Sequence, residues 1–349
     1  MTAGTEGGRL SQISRRGEAR LVDLASEATA AEWMALSSAA HWNQTEDDWR
    51  TMLSLGRGWG LRCADPDTGC DTLVASTLVL PYGTGRKVVV QGEGLAAGGR
   101  FAWISMVLVL PARRGCGFAQ RLLRVALDDL AAAGLLPVLD ATPAGRPVYA
   151  KLGFREGWSF TRWRRPFSSI RGSGAAPFSL SRGAGEGRGE GGAGEGVKAR
   201  PLRQSDWPAI AVLDGPAFAA DRTPLLAGLA QRLPAAACVA ADGDRLHGYV
   251  LGRDGRTALQ LGPLVTAAAD DEATAVSLLE AAIGPVTELA AARGQDVIAD
   301  ARDGCEVLAQ WLRQRGFAAE RPFVRMVHGA AAPPGDAARI MLPAGPELG

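Results

Sequence analysis

The sequence lacks the charge excess that a generic nucleic-acid binder needs. Lys and Arg number 38 against 37 Asp and Glu, a net charge of +1, so there is no dominant basic face to release counterions from phosphate. It also lacks any run approaching 18 consecutive apolar residues, which argues against a membrane-spanning helix and a membrane partner. Cysteine is scarce and unpatterned: Cys63, Cys70, Cys116, Cys238 and Cys305 are odd in number and contain no C-x-x-C. The histidines His41, His247 and His328 lie far apart, so neither a disulfide framework nor a metal site is expected. Met1 to Gly17 is polar and has no apolar stretch of the kind that opens a secretory signal. A reducing, cytoplasmic setting with small buried thiols is the expectation.

What the chain does have is glycine, 45 in 349 residues, beside a hydrophobic share of 47%. That share supports real cores and excludes a wholly disordered chain, and the length suggests roughly two domains. The glycines pool. Arg171 to Gly196 reads RGSGAAPFSLSRGAGEGRGEGGAGEG, without hydrophobic period, and is expected to be a flexible linker with a span of roughly 30 Å. Such a linker would not fix how the halves sit. The expected organisation is a disordered terminus over 1–17, a first domain over 18–166, a linker over 167–196, a second domain over 197–329 and a C-terminal tail over 330–349.

In the first half, Ala30 to Ala40 and Glu46 to Leu55 read as helices, the second capped by Thr45. Gly58 to Ala64 and Thr72 to Leu80 read as strands with a turn at Asp65-Pro-Asp67. Phe101 to Leu110 (FAWISMVLVL) is apolar throughout, as a buried central strand is. Gly117 to Ala133 repeats apolar residues at Phe118, Leu122, Ala126 and Leu130 and reads as an amphipathic helix. Pro137 to Ala141 reads as a strand, Gly145 to Leu152 as a helix, and Phe154 to Arg164 as a last strand. The arginines Arg155, Arg162, Arg164 and Arg165 read as a solvated strand edge. The second half echoes this, with strands at 237–241, 248–252, 258–265 and 296–300, helices at 271–283 and 305–315, and an ending at 317–327. VLDATPAGRPVYAKLGF (138–154) and VIADARDGCEVLAQWLRQRGF (297–317) each run from a strand ending in Asp, through a helix, to Gly-Phe. They are read as a diverged repeat. Together these patterns give an α/β chain.

The chemistry-bearing stretch follows the central strand: Pro111-Ala-Arg-Arg114-Gly115-Cys116-Gly117-Phe118-Ala119. A strand, a tight Arg/Gly loop and a helix N-terminus make an anion site. Unpaired N–H groups and the helix dipole favour negative charge, glycine lets the backbone come close, and Arg113 and Arg114 add charge. A dinucleotide fingerprint would need a small residue where Gln120 stands, and a Walker loop would need Gly-Lys-Ser/Thr. R-x-x-G-x-A (Arg114, Gly117, Ala119) instead resembles the acetyl-CoA pyrophosphate loop of the GNAT acetyltransferase superfamily. Tyr149-Ala-Lys-Leu-Gly153-Phe154 resembles that superfamily's Y-x-x-x-G-F segment. Trp42-Asn43-Gln44-Thr45 with Asp48-Trp49, and the ending Ala344-Gly-Pro-Glu-Leu-Gly349, are similar to one bacterial branch with tandem domains.

The resemblance implies two GNAT-like α/β domains, each a mixed central sheet flanked by helices. It implies an N-acetyltransferase that moves the acetyl group of acetyl-CoA to a primary amine, on a small molecule or a peptide, by direct attack in a ternary complex. The alternative is a non-catalytic acyl-CoA sensor. Arg114, Gly115, Cys116, Gly117, Phe118 and Ala119 would hold the cofactor, with amides around Val107, Leu108 and Val109 on the thioester carbonyl. Tyr149 would protonate the leaving thiolate. Asp140 is the nearest carboxylate for a base, with helix capping or a water relay as alternatives. Trp42, Trp49 and Ser105 would face the acceptor. In the second half, Leu261 to Val265 is followed by Thr266-Ala-Ala-Ala-Asp270-Asp271-Glu272. Three carboxylates there would repel a diphosphate. Leu312 stands where the tyrosine would be, so that half is expected not to bind acetyl-CoA.

Overall fold

The computed structural model describes residues 19–64, 69–83, 100–172 and 197–349. The expectations for 1–17, for the turn at Asp65–Asp67 and for the glycine-rich stretch over 173–196 lie outside the described residues. The first half runs β1 (Arg20–Asp23), α1 (Leu24–Glu27), α2 (Ala30–Ala39), α3 (Glu46–Leu55), β2 (Arg57–Ala64), β3 (Asp71–Tyr82) and β4 (Phe101–Val109). It continues with α4 (Phe118–Ala132), β5 (Leu136–Ala141), α5 (Arg146–Lys151), β6 (Phe154–Arg165) and α6 (Phe167–Gly172). The second runs β7 (Lys198–Pro201), α7 (Trp207–Phe218), α8 (Thr223–Arg232), β8 (Cys238–Asp242), β9 (Arg245–Arg253) and β10 (Ala258–Thr266). It ends with α9 (Glu272–Arg293), β11 (Asp296–Arg302), α10 (Glu306–Gln314), β12 (Ala318–His328) and β13 (Ile340–Leu342).

Local chemistry sets most of these elements. Thr29 and Thr45 open α2 and α3 with capping boxes completed by Glu32 and Asp48. Gly134 leaves α4 at φ +62°, a conformation glycine adopts without strain. α4 buries Phe118, Leu122, Leu123, Ala126 and Leu130 and turns its charges outward. α9 continues ten residues past the expected end, through Gly284-Pro285 to Arg293. It is long and apolar enough to cross a membrane by length and composition. In this fold, however, Ala275, Leu278, Leu279, Ala282, Val286 and Ala290 pack into the second half's core. Cys63, Cys238 and Cys305 are buried, whereas Cys70 is exposed and Cys116 half-buried.

The strands form one sheet in the order β1-β2-β3-β4-β5-β12-β6-β11-β10-β9-β8-β7, with β13 against β10. The two halves therefore exchange their last long strands. β12, from the second half, lies antiparallel to β5 of the first, and β6, from the first, lies between β12 and β11. Two crossed ion pairs mark the exchange, each between residues directly opposite in register. Arg325 on β12 holds Asp140 on β5 at 2.9 and 3.0 Å, and Arg162 on β6 holds Asp300 on β11 at 2.7 Å twice. The relative placement of the halves is thus set by the sheet.

Three boundary readings are corrected. The arginines of β6 are not an edge, because β6 is interior: Arg162 is buried against Asp300, and Arg164 pairs with Asp296 and Glu320. Residues 167–172, read as linker, form α6. The N–H of Phe167 donates to Asp296, and Ile170 enters the second half's core. Residues 330–349 are not a loose tail. Leu342, Ala344 and Leu348 are buried, and Tyr82 and Trp103 of the first half donate to Leu348 O and Pro346 O, each at 3.0 Å.

Candidate functional site

β4 and β5 pair in parallel only from Phe101 to Trp103 against Leu136 to Val138, then part. Two features open them. A bulge shifts the β3–β4 register between Ser76 and Leu78, leaving Met106 and Val107 opposite Thr77. Met106 stands at φ +50° and its carbonyl accepts from Ser76 Oγ at 2.8 Å. Beyond the parting, β5 pairs on its far side with β12. Leu110 donates its N–H to Val74 O on β3, so strand alternation turns Leu108 toward β3 as well and Val109 toward the opened edge. Of the three expected carbonyl contacts, Val107 and Val109 therefore face the opening and Leu108 does not.

The chain leaves β4 by a 3-10 turn over Pro111–Arg113 and enters α4 through Gly115 and Gly117, at φ +77° and +81°. A Cβ on either would meet nothing within 4 Å, so both glycines answer a backbone demand and leave the space before them open. α4 has no side-chain cap, and its first hydrogen bond from this end is Arg121 N to Gly117 O. The N–H groups of Gly117, Phe118, Ala119 and Gln120 find no backbone acceptor among the described residues. Arg114 is exposed beside them, its Nε 3.4 Å from Val109 O. Phe118 contributes only its backbone here, since its side chain is buried.

The opening leads into a narrow cleft. Trp42, Gln44, Ser105, Val107, Asp140 and Tyr149 line it from the first half, and Arg321, Phe323 and Glu347 from the second. Tyr149, on α5, packs edge-on to Phe154, and no hydrogen bond to its hydroxyl is present among the described residues. Burial pushes its phenol up to about 12. Asp140 is raised by burial, against the pull of Arg325, which engages both of its oxygens. Asp140 does not cap α5; Thr142 Oγ1 accepts from Gly145 N instead, at 3.2 Å. Ser105 Oγ makes a long contact of 3.7 Å to Met52 Sδ.

Trp42 lines the cleft, but Trp49 does not. It is fully buried, stacked on Trp33 at 6.2 Å, with its Nε1 donating to Ser37. α3 turns its apolar face inward, and that face carries Trp49. The segment Trp42–Thr45 has a second task. Asn43 Oδ1 accepts from Thr257 N and Ala258 N, both at 2.9 Å, and Asp48 pairs with Arg232 and Arg253, each at 2.7 Å. Burial would raise the Asp48 carboxyl, and these two guanidiniums outweigh it, so its pKa is lowered.

Sequence reasoning missed Gln44, Arg162, Arg321 and Glu347 as cleft residues. A usable signal existed. Gln44 and Glu347 both sit in runs that resemble the same bacterial branch.

The second half repeats the geometry and fills it. β10 and β11 pair in parallel only over Ala258–Leu261 and Asp296–Ala299, and the β9–β10 register shifts between Leu261 and Leu264. Into the resulting gap comes β13, pairing Leu342 and Ile340 with Leu264 and Val265. At the start of α9, Asp271 accepts from Thr274 N at 3.0 Å and Glu272 from Leu308 N at 2.8 Å, while Asp270 pairs with Arg302. The place where an anion would sit is occupied by the chain's own carboxylates.

Comparison with known proteins agrees with this duplication. Residues 25–154 match the family described as acetyltransferase (GNAT) family, and residues 210–341 match an acetyltransferase (GNAT) domain. A Pyrococcus horikoshii protein assigned as an acetyltransferase superposes with a TM-score of 0.60 at 16% identity, covering 95% of this chain and 96% of that one. A GCN5-related N-acetyltransferase of Sphaerobacter thermophilus gives 0.53 at 14% identity, covering 89% and 95%. A tandem GNAT protein from the clavulanic acid biosynthesis pathway gives 0.54 at 14%, covering 89% and 98%. No curated protein matches the sequence. At these identities the solved structures speak to fold, and the two family matches carry the assignment: the chain belongs to the GNAT acetyltransferase family, in its tandem form.

Proposed function

We propose that the first half transfers the acetyl group of acetyl-CoA to a primary amine by direct attack in a ternary complex, and that the second half completes the acceptor site without binding acetyl-CoA. The observation that carries this reading is the asymmetry of the two openings. One leads to uncapped amides and an arginine; the other is filled by β13 and capped by Asp271. The diphosphate would lie on the amides of Gly117 to Gln120, with Arg114 closing over it. The thioester carbonyl would meet the opened edge of β4 at Val107 and Val109. In the transfer the ammonium gives up a proton and its nitrogen bonds to the carbonyl carbon. The C–S bond then breaks, the nitrogen loses its second proton to become the amide, and the sulfur ends protonated as free CoA, the second nitrogen proton replacing the one that the sulfur takes from its donor.

Tyr149 is the proposed donor to that sulfur. A phenol held near 12 does not by itself protonate a thiolate of about 8.5, so the transfer has to accompany C–S cleavage. The same elevation keeps the hydroxyl intact at neutral pH, and kcat is expected to have no alkaline limb from Tyr149 below about pH 10. Asp140, with both oxygens on Arg325, is proposed to hold that arginine rather than to take the proton.

The test is thiol release with a panel of amines. Tyr149→Phe should lower kcat about 100-fold while leaving acetyl-CoA affinity within about twofold. Arg114→Glu should weaken acetyl-CoA binding at least about 100-fold in calorimetry, by losing a charge-assisted contact and adding repulsion. Acetyl-CoA binding without turnover of any amine would replace catalysis by sensing.

A further inference from the structure

The acceptor end of the cleft carries two unsatisfied charges of opposite sign. At one side is Glu347, 2% exposed, with one oxygen engaged by Arg253 and the other, Oε2, buried without a partner. Its surroundings form a chain of ions, Asp254–Arg232–Asp48–Arg253–Glu347. Three carboxylates share two guanidiniums, which leaves one negative charge over. Gln44, 3% exposed, likewise has a buried Oε1 without a partner. Ser105 Oγ, beside the bulge of β4, spends its proton on a thioether and keeps its lone pairs. Three oxygen acceptors thus line one cleft and lack donors, and an ammonium has three N–H bonds to give.

Across the cleft the sign reverses. Arg162 and Arg321 approach the ring of Phe323, at 5.3 and 4.8 Å from its centroid. Asp300 matches Arg162. Arg321 has no ion pair or hydrogen bond among the described residues, and its Nε is buried without an acceptor. Burial and the neighbouring Arg162 work against the Arg321 charge and outweigh the pull of Glu320 and Asp300, so an anion placed there would relieve a standing cost. Of the two guanidiniums that line the cleft, only Arg321 lacks an ion pair among the described residues, and one such guanidinium suits one carboxylate better than a phosphate dianion. Trp42 and Phe323 offer apolar wall between the two ends.

Resting on the acetyltransferase reading, we infer that the acceptor is a small zwitterionic amine of the amino-acid type. Its ammonium would sit at Glu347, Gln44 and Ser105, and its carboxylate at Arg321. Glu347 is then also the group that receives the ammonium proton before attack: N–H breaks, the carboxyl O–H forms, and the proton passes to solvent after CoA leaves. Glu347 reaches the first half's cleft because Gly345, at φ +124° and with a Cβ position 3.1 Å from the Glu347 carboxylate, admits no side chain where the backbone turns back.

The experiment is calorimetric titration of the full chain, with CoA present. The probes are the common α-amino acids, β-alanine and γ-aminobutyrate, each against its carboxamide, with thiol release measured in parallel. At least one carboxylate-bearing amine is expected to bind about 10- to 100-fold more tightly than its amide. Arg321→Gln should erase that preference without changing acetyl-CoA affinity. Glu347→Gln should lower kcat for every amine while leaving acetyl-CoA affinity within about twofold, a split that a merely structural residue would not produce. Equal binding of acids and amides, retention of the preference in Arg321→Gln, or no binding of any zwitterion at millimolar concentration would overturn the inference. Zwitterion binding without turnover would uphold it and refute catalysis instead.

Discussion

Residues 197–349 produced alone will fail to fold, whereas the full chain cut by protease between residues 173 and 196 will remain one particle. Both results follow from the strand exchange. Without the first half, β11 loses its partner from Val297 to Arg302, and β12 loses neighbours on both sides. Phe323 loses its stacking partner Phe160, 5.0 Å away, and the second core loses Trp163 and Ile170. A lone half would expose two unpaired edges and the apolar faces between them, a template for aggregation. In the nicked protein every one of these pairings survives, since none depends on the connecting segment. Gel filtration in native buffer should give one peak and, in concentrated urea, two fragments. Separation of the fragments in native buffer would sink the exchanged topology.

Asp300→Ala should destabilise the full chain by about 3–5 kcal/mol, because it strands a buried guanidinium. Asp300 is wholly buried and takes two 2.7 Å bonds from Arg162 and one of 3.1 Å from Gln260 Nε2. Alanine would leave the Arg162 charge, itself 5% exposed, without its ion-pair partner, beside the face of Phe323 and with only the more distant pull of Glu347 and Glu320. Asp300→Asn keeps the volume and some of the hydrogen bonds, and should cost less. Replacing Arg162 and Asp300 together by apolar residues should recover much of the loss, since it is the unpaired charge that costs most. Urea unfolding of the three variants measures this. A loss below about 1 kcal/mol for Asp300→Ala would show that water reaches Arg162 through the cleft and that the pair does not hold the seam.

Much of the first half was legible because its signals are local. Thr45 and Asp48 cap α3 within four residues, and the stripe from Phe118 to Leu130 gives α4 by period alone. Gly115 and Gly117 announce left-handed backbone before a helix. The repeat was legible for the same reason, as strand, helix and Gly-Phe recur in order. α7 and α8 gave no such signal. α7 is apolar on nearly every side and carries Pro208 and Pro216, so it shows no stripe to read.

The site was legible only where one segment makes it. The loop before α4 supplies its own amides and arginine within ten residues, so the pattern on which its proposed role rests can be read without knowing its neighbours. Trp49 was misplaced because a helix shows which residues share a face but not whether that face meets solvent, ligand or core. Asp140 and Arg325 stand 185 residues apart and Arg162 and Asp300 138 apart. An arginine on a strand reads alike whether its partner is water or a buried carboxylate.

By itself the sequence determined two α/β halves of one kind, the glycine-rich stretch between them, and a single Arg/Gly loop ahead of a helix in the first. Each of these rests on residues close together in the chain, where propensity, capping and spacing act. Tertiary structure alone decided that the halves trade strands, that 340–349 fills one opening and lends Glu347 to the other, and that Arg321 faces the same cleft. Those outcomes depend on which strand edges meet. Edge pairing uses backbone groups common to every residue, so only the packed sheet could select them.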